Sequence, residues 1–508
     1  MAERKKVVII GGGLAGLAAA VVLPPEHFEI TLVERRPFLG GRASSYPVPR
    51  TEVPASDDPL TPNGYGRFKR VEFPIELDGV EEPSTWVDNC QHVLMKCCTN
   101  LLDFYQRLAV DQDITFFEHY TFLDENGRAA SLRGSFLPAP FHLFPSFLRF
   151  HPLKWRDKLS VAHGLLCMLI DAPRLESLDR VSMLDWLKRH RQTPRAIEYF
   201  WQTVLVSALN EELHIASARY GLKVFLDGML NHREAFHMGV PTVPLEKLYT
   251  EPCLKLIARR RNNVRLRCSA TRIEVAESRV QRVFLNDGTW LVGDYFLSSL
   301  PPQDLLKLLP ADVTESSNYF MQLGRFESSP ITSVYLWYDR QVTDLENAVL
   351  LGRETQWFFN KSPRHPDENR PSGQLLGLVV SASRKLLRMS RSEILDVVLR
   401  DLEAVLPSTR QARLLRTLVM KEPFATISCR AGYDTFRLEQ TSPLKNFFVA
   451  GDWTRTGWPP TMEGAVRSSY RCAELILEAE GTPRRFLQPD LPTQRLARWA
   501  ASFCRLFG

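Results

Sequence analysis

Glycines near the N-terminus have the spacing of a phosphate-binding turn. Residues 11–16 read Gly-Gly-Gly-Leu-Ala-Gly, and an acid, Glu34, lies 18 residues beyond Gly16. Gly11 would permit a tight turn, Gly13 would let a pyrophosphate approach the backbone, and Gly16 would let a helix pack closely. A carboxylate at this distance accepts a hydrogen bond from a ribose hydroxyl. We therefore predict a dinucleotide site with these contributing residues: Gly11, Gly13, Leu14, Ala15, Gly16, Glu34 and Arg35.

Such a turn works only between a strand and a helix. Residues 7–10 form an uninterrupted apolar run, which is typical of a buried parallel strand. Residues 17–23 are strongly helical in composition, and residues 28–33 form a second apolar strand that ends at Glu34. The helix N-terminus would offer free N–H groups and the positive end of its dipole to the phosphates. Because all of these signals agree, a glycine-rich turn without a ligand is the weaker interpretation.

Further glycine motifs resemble those of the amine-oxidase and carotenoid-desaturase flavoenzymes. Residues 39–43 read Leu-Gly-Gly-Arg-Ala, and residues 446–452 form an apolar strand that ends in Gly-Asp. In those enzymes the first motif contributes to the FAD phosphate site, the Asp reaches the ribityl–phosphate region, and the turn before the final helix meets the flavin through backbone N–H groups. The resemblance implies FAD as the cofactor, held by Gly40, Gly41, Arg42, Ala270, Gly451, Asp452, Thr461, Met462, Glu463 and Ala465. Ala270 would contribute its backbone beside the adenine.

Motifs in the middle of the chain narrow the resemblance. Residues 87–94 read Val-Asp-Asn-Cys-Gln-His-Val-Leu, and residues 137–143 read Leu-Pro-Ala-Pro-Phe-His-Leu. Together with residues 200–211 and 451–459 they resemble the hydroxysqualene dehydroxylases, squalene-associated FAD-dependent desaturase-like enzymes of bacterial hopanoid pathways. The resemblance implies reductive removal of the allylic hydroxyl of hydroxysqualene to give squalene, with acid assistance to the departing water. Its implied catalytic residues are Asp88 and His92, with Gln91 as an orienting group and Glu211 as a second acidic candidate.

Other interpretations stay open at this point. Asp88 and His92 could instead brace FAD or close a buried hydrogen-bond network. The enzyme could be a carotenoid-type desaturase that uses the flavin in the opposite direction to oxidise a polyprenyl chain. An amine or protoporphyrinogen oxidase and a non-catalytic FAD-bearing scaffold are further alternatives.

These elements predict an α/β fold. We expect a Rossmann-like FAD-binding domain assembled from both chain ends, an inserted α+β substrate domain and a mostly helical lipid-facing region. The predicted boundaries are 1–46, 261–302 and 441–480 for the FAD-binding domain, 47–85 for a mobile Pro-rich insertion, 86–260 for the helical region, 303–440 for the substrate domain and 481–508 for an amphipathic tail.

Composition excludes several classes of protein. The 508 residues are 44% hydrophobic, and 64 Lys and Arg against 58 Asp and Glu give a net charge of +6. This balance suits a globular protein and argues against a nucleic-acid partner. The nine cysteines form no C-x-x-C pair, so we expect no disulfide framework, no metal site and a cytoplasmic location.

A membrane surface is a further expected partner. Five phenylalanines lie within residues 136–150, followed by Lys154-Trp155-Arg156. Aromatic residues flanked by cations suit the headgroup boundary. In the tail, Leu496, Trp499, Ala500, Phe503, Leu506 and Phe507 would share one helical face, which would lie on lipid or pack against the protein. We therefore expect peripheral association with the cytoplasmic membrane, a C30 isoprenoid substrate and an electron donor that the sequence does not name.

Overall fold

A five-stranded parallel sheet organises the structure, a computed structural model that describes residues 3–48, 85–362 and 373–504. Its strands, in spatial order, are Asn263–Arg265, Phe28–Val33, Lys5–Ile10, Tyr295–Ser298 and Phe447–Val449. The central strand is buried on both faces over residues 7–10, as its unbroken apolar run predicts. The sheet is parallel, alternates with helices along the chain and uses segments from both chain ends, so the predicted α/β fold class is confirmed.

Helices cover this parallel sheet. Every residue of the helix Leu14–Val22 is buried. It packs against the long helix Met462–Ala479, whose Ser469 Oγ donates a hydrogen bond to the Ala15 carbonyl at 2.6 Å. The helix Glu251–Arg259 also packs on Leu14–Val22, and the helix Thr99–Arg107 packs on Met462–Ala479. The first and last motifs of the sequence therefore meet at neighbouring helices.

A larger, seven-stranded sheet forms the second layer, which we call the large sheet. Its strands, in spatial order, are Leu414–Ile427, Ser328–Tyr338, Gln374–Ser381, Trp357–Asn360, Asn347–Leu350, His119–Leu123 and Ala129–Arg133. One face packs on the helix Arg391–Val405, which begins with a capping box between Ser390 and Glu393. The last two strands differ from the sequence prediction, since they come from the region expected to be mostly helical. Ala129–Arg133 alternates between exposed and buried residues, the period of an edge strand rather than of a helix.

The rest of residues 86–260 is largely helical. Its further helices are Phe144–Arg149, Trp155–Asp171, Met183–Arg189, Pro194–Ala196, Thr203–Leu209 and Ala218–Phe225. Turns of π-helix at Ile197–Gln202, Leu226–Leu230 and Glu246–Thr250 and 3-10 turns at Asp111–Asp113 and Ala172–Leu178 join them. A small antiparallel sheet of Leu94–Met95, Met238–Pro241 and Ile114–Phe117 lies among these helices.

Smaller elements complete the described residues. Ala270–Ala276, Arg279–Leu285 and Trp290–Leu291 form an antiparallel meander, and Ser45–Val48 pairs with Thr85–Asp88. The remaining helices are Pro302–Leu308, Ala311–Ser316, Asn318–Met321, Arg384–Leu387 and Arg495–Cys504, with 3-10 turns at Gln322–Arg325, Pro407–Gln411 and Tyr433–Phe436. Nearly all of the predicted Pro-rich insertion, residues 49–84, lies outside the described residues. Within the described ranges, no helix is long and apolar enough to cross a membrane.

Candidate active site

The N-terminal glycines form an open cradle. Gly13 caps the helix Leu14–Val22, and no side chain caps the free N–H groups of its first turn. A Cβ atom added at Gly13 would meet only the Gly41 Cα, at 3.8 Å. The Gly40 N–H donates to the Gly12 carbonyl at 2.9 Å, so the second glycine motif lies directly beside the first. Uncapped N–H groups beside open backbone fit the pyrophosphate of a dinucleotide.

Backbone contacts hold Glu34 beside this cradle. Its buried carboxylate accepts hydrogen bonds from the N–H groups of Gly12 and Arg36, both at 2.8 Å. Two carboxylate oxygens offer about four acceptor sites, so Glu34 can also accept from a ribose hydroxyl. The Cys268 N–H donates to the Glu34 carbonyl at 2.9 Å, so Ala270, two residues further along the chain, lies near Glu34. Arg35 points outward, and its guanidinium lies 3.5 Å from the Asp304 carboxylate.

The loop after the last strand brings an acid to the second glycine motif. The Asp452 carboxylate is buried and forms an ion pair with the Arg42 guanidinium at 2.5 Å. Gly451 has a φ of +144°, and a Cβ there would lie 2.5 Å from the Trp453 ring. Only glycine therefore fits the turn that places Asp452 opposite Arg42.

Arg437 organises the same loop, and no sequence signal indicated it. Its guanidinium is fully buried and donates to the carbonyls of Asp452 at 3.0 Å, Trp458 at 2.7 Å and Thr454. It also lies 3.5 Å from the Asp434 carboxylate. A single buried cation thus satisfies several carbonyls that the irregular loop would otherwise leave unpaired.

A second helix N-terminus completes the cofactor site. Thr461 caps the helix Met462–Ala479, and its Oγ1 accepts from the Gly464 N–H at 3.3 Å. The Glu463 side chain turns away from this end and accepts from the N–H groups of Asn100 and Leu101, at 3.2 and 2.7 Å. The Glu463 side chain is therefore turned away from FAD, and its predicted contribution, like those of Met462 and the buried Ala465 in the same first turn, would come from the backbone.

The segment Asp88–His92, which we call the polar block, is tied to the large sheet, where the Tyr335 hydroxyl donates to the Asp88 carbonyl at 2.7 Å. The buried Asp88 carboxylate accepts from the Ser45 hydroxyl at 2.7 Å and from the Leu245 N–H at 3.1 Å, and it lies 3.6 Å from the Lys361 ammonium. Asn89, which sequence reasoning missed, donates to the Arg42 carbonyl at 2.5 Å. The polar block is therefore anchored to the loop of the second glycine motif.

The side chains of the polar block differ in what they can do. The His92 Nε2 lies 3.0 Å from the Asn89 Oδ1. Burial lowers the pKa of His92 to about 4, and Lys361 lowers it further while Asp88 opposes the shift. His92 is therefore neutral at pH 7 and suits hydrogen bonding better than proton donation. Burial raises the pKa of the Cys90 thiol, which stays protonated. Among the described residues the buried Gln91 Oε1 has no hydrogen-bond partner.

Glu211 occupies a closed structural site instead. Its carboxylate is fully buried, accepts two hydrogen bonds from the Arg384 guanidinium at 2.6 and 2.9 Å, and accepts another from the Ser428 hydroxyl. It shares no described contact with the polar block. We therefore correct the interpretation of Glu211 as a catalytic acid, because Arg384 and Ser428 enclose its buried carboxylate at a junction of chain segments away from the polar block.

The fold and the site define an FAD-dependent oxidoreductase. The chain matches, over residues 14–477, the family described as flavin containing amine oxidoreductase, and it belongs to that family. FAD is its cofactor, and the two glycine motifs, Glu34, Arg42 and Asp452 are the residues that fit it.

Similar known proteins include phytoene and zeta-carotene desaturases. The 15-cis-phytoene desaturase of Capsicum annuum is 27% identical over 491 residues, which cover 93% of this chain and 78% of the relative. The zeta-carotene desaturase of Synechocystis sp. is 25% identical over 507 residues, which cover 93% of this chain and 97% of the relative. Among solved structures, a putative protoporphyrinogen oxidase from Exiguobacterium sp. 255-15 has a TM-score of 0.64 at 16% identity, covering 94% of this chain and 99% of its own. A putrescine oxidase bound to putrescine has a TM-score of 0.64 at 14% identity, with the same coverage.

We expect FAD to be bound without a covalent bond. A covalent flavin needs a Cys or His at its methyl edge, and residues 451–465 contain neither. The Cys90 thiol is held protonated, so it is a poor nucleophile. Acid precipitation of the holoprotein should therefore release all of the yellow colour into the supernatant. Flavin that stays with the washed precipitate would contradict this expectation.

Proposed function

We propose that this FAD-dependent oxidoreductase removes the allylic hydroxyl of hydroxysqualene to give squalene. The observation that supports this proposal is that the polar block begins directly beside an apolar face of the large sheet. Tyr335, Trp337, Leu375, Leu418 and Met420 share one face and pack against Val87, the residue before Asp88. We call these five side chains the apolar face. Four of them are only partly buried, so they offer apolar surface next to hydrogen-bonding groups.

This arrangement suits a long hydrocarbon with one polar group. The apolar face would bind the isoprenoid chain and exclude water, and the polar block would hold the hydroxyl. Bound reduced FAD would supply the hydride. A proton donor within the site would assist departure of the hydroxyl as water, a contribution of about 10²–10⁴-fold to the rate. The motifs at residues 87–94 and 137–143, which resemble hydroxysqualene dehydroxylases, support the same substrate.

A polyprenyl desaturase is the second candidate. It is favoured by the relatives that are named as phytoene and zeta-carotene desaturases. Both candidates need the same cofactor and the same apolar surface. They differ in the direction of electron flow, since dehydroxylation consumes reduced FAD and desaturation consumes oxidised FAD.

The direction of electron flow provides the test. The purified holoprotein, reduced with dithionite under anaerobic conditions, would be incubated with hydroxysqualene, and the oxidised holoprotein would be incubated with phytoene. Squalene from the first reaction, identified by mass spectrometry, would support dehydroxylation. A desaturated product from the second reaction, without squalene from the first, would overturn it in favour of a desaturase. A control reaction with dithionite and free FAD shows what occurs without the protein.

We also propose that the protein binds an anionic membrane surface, from which such a substrate would enter. Large apolar side chains are exposed on three adjacent segments, and we call them the aromatic patch: Phe136, Phe141, Phe144, Trp155, Leu159, Leu166, Trp499 and Phe503. The Ala139 N–H donates to the Gln494 Oε1 at 3.0 Å, and the helix Arg495–Cys504 packs on the helix Trp155–Asp171. These contacts place the three segments side by side.

The tail helix contributes to this patch differently from the sequence prediction. It packs on the protein through Ala497 and Ala500, which are buried, while Trp499 is 61% exposed and stacks on Phe503. Ala500 therefore does not share the exposed face, and Leu506 and Phe507 lie outside the described residues. Arg149, Lys154, Arg156, Arg495 and Arg498 are exposed around the patch. Aromatic side chains ringed by cations suit an anionic lipid surface.

Removing two side chains of the aromatic patch should weaken membrane binding. We expect the double variant Trp155→Ser, Trp499→Ser to bind anionic phosphatidylglycerol vesicles at least about tenfold more weakly than the wild type, since each buried aromatic side chain contributes about 1.5–3 kcal/mol. Trp290→Ser is the control, because Trp290 is 54% exposed on the meander, away from the patch. Vesicle flotation at two salt concentrations measures the binding. Equal flotation of all three proteins would contradict the role of the patch.

A further inference from the structure

A carboxyl group lies on the face of the large sheet that packs against Val87, the residue before the polar block. Leu418 and Met420 belong to the apolar face, and successive side chains of a strand alternate between faces. Glu422 lies two residues beyond Met420 on the strand Leu414–Ile427, so it shares their face. Lys421 points to the other side, where its ammonium donates to the carbonyls of Leu387 and Met389.

An irregularity in the strand pairing occurs at Glu422. On the neighbouring strand Ser329 pairs with Thr426, but Ile331, only two residues further, pairs with Glu422. The strand that carries Glu422 therefore has extra residues at this point, among them Pro423, which has no N–H to donate. Such bulges bend a strand, re-aim its side chains and occur often beside active sites.

Among the described residues, the Glu422 carboxyl lacks a partner. Within residues 3–48, 85–362 and 373–504, no hydrogen bond or ion pair reaches it, although it is partly buried. Burial raises its pKa, and the Arg36 guanidinium only partly offsets that shift. An unpaired carboxyl in such a setting keeps its proton at a higher pH than an exposed one.

The surroundings of Glu422 are those of the cofactor site. Arg36 donates to the Gly41 carbonyl at 2.7 Å, within the second glycine motif. Burial raises the pKa of Cys90 in the polar block, and the charges of Glu422 and Asp88 raise it further, while Lys361 opposes them. Burial also raises the pKa of Tyr46, with a smaller contribution from Glu422. Glu422 thus shares the face of the large sheet against which Val87, the residue before the polar block, packs.

We propose that Glu422 is the catalytic acid of the dehydroxylation, a role that rests on the proposed function. Its protonated carboxyl donates a proton to the substrate hydroxyl oxygen, the allylic C–O bond breaks, and water departs. The allylic carbon then takes the hydride that reduced FAD supplies, and Glu422 is left as a carboxylate that regains a proton from solvent. The substrate loses its hydroxyl and gains one hydrogen, and the flavin is oxidised by two electrons.

The other acids near the site are less suited to this step. Asp88 is paired with Lys361 and accepts two further hydrogen bonds, so its carboxylate oxygens are already engaged by partners within the protein. His92 is neutral and hydrogen-bonded to Asn89. Glu422 is the carboxyl whose pKa burial raises and which has no hydrogen-bond or ion-pair partner within the described residues.

The Glu422→Gln variant tests the proton donor. We expect it to bind FAD fully and to turn over hydroxysqualene about 10²–10⁴-fold more slowly than the wild type. Turnover of the acetate ester of hydroxysqualene should fall much less, because acetate departs without prior protonation. Glu29→Gln, a change at an exposed position of the strand Phe28–Val33, is the control and should leave both rates unchanged. Equal slowing on both substrates, or none, would overturn the acid role while leaving the dehydroxylase assignment intact.

A measurement of stability against pH tests the protonated carboxyl without turnover. A raised pKa in the folded state means that ionising Glu422 costs stability as the pH rises through that pKa. Wild type and Glu422→Gln should therefore melt together at acid pH, and the variant should melt at a higher temperature once the pH exceeds the raised pKa. A difference that does not change with pH would overturn the proposal. Wild-type protein that makes no squalene would overturn the proposed function, whatever the melting curves show.

Discussion

A Gly13→Val protein is expected to fold normally and to purify without flavin. Gly13 has a φ of −74° and a ψ of 175°, an extended conformation that valine adopts without strain. Its nearest neighbour in the protein would be the Gly41 Cα, at 3.8 Å from the new Cβ. The branched side chain would therefore fill the cradle rather than disturb the fold. The ratio of flavin absorbance to protein absorbance after purification measures the effect.

Gly16→Ala is the matched control for this result. A Cβ at Gly16 would lie 2.1 Å from the Gly11 carbonyl oxygen, where the helix packs on the turn. We expect this smaller side chain to lower thermal stability, measured by circular dichroism, whereas Gly13→Val leaves the melting of the flavin-free protein unchanged. A Gly13→Val protein with one FAD per chain would contradict the assignment of the N-terminal glycines.

Arg437→Ala is expected to lower the free energy of unfolding by about 3–5 kcal/mol, the range found when one partner of a buried pair is removed. The variant leaves the carbonyls of Asp452, Thr454 and Trp458 without their buried donor. Because this loop carries Asp452 to Arg42, we also expect the variant to purify with much less FAD. Urea denaturation followed by tryptophan fluorescence measures the first effect.

An exposed arginine provides the comparison. Arg484 pairs with Glu26 at 3.0 Å, and both side chains are about half exposed. Surface pairs contribute about 0–1 kcal/mol, so Arg484→Ala should change stability and FAD content little. Equal stability of the two variants would show that Arg437 does not support the loop.

Sequence reasoning succeeded where a contiguous segment carries the whole signal. The strand, the glycines, the helix and Glu34 occur within one short stretch, and the structure assembles them as expected. The motif at Gly451 and Asp452 is also contiguous, and it predicted that both chain ends take part in the FAD-binding domain. The predicted contacts of the remaining site residues with FAD and substrate stay predictions.

The residues that were missed are defined by tertiary contacts. Arg437 and Asn89 have no local pattern, because their partners are carbonyls of distant loops. Glu211 was misinterpreted for the same reason, since only the fold brings Arg384 to it. The low pKa of His92 depends on burial that no spacing of residues reveals. The strands between residues 119 and 133 were missed because they join the large sheet through Asn347–Leu350, a partner in the other half of the chain.

The assembly of one sheet from both chain ends has a consequence for biosynthesis. Within the five-stranded sheet the strand Phe447–Val449 pairs with Tyr295–Ser298, and Asp452 and the helix Met462–Ala479 follow it. A ribosome that has made the first four hundred residues has therefore produced the fingerprint but not a holoprotein. Until the last strand emerges, the edge of Tyr295–Ser298 has no partner, and such edges promote aggregation of nascent chains. We therefore expect cofactor loading to follow synthesis of the last strand, and a chain that ends before residue 447 to remain an apoprotein rather than a partly active enzyme.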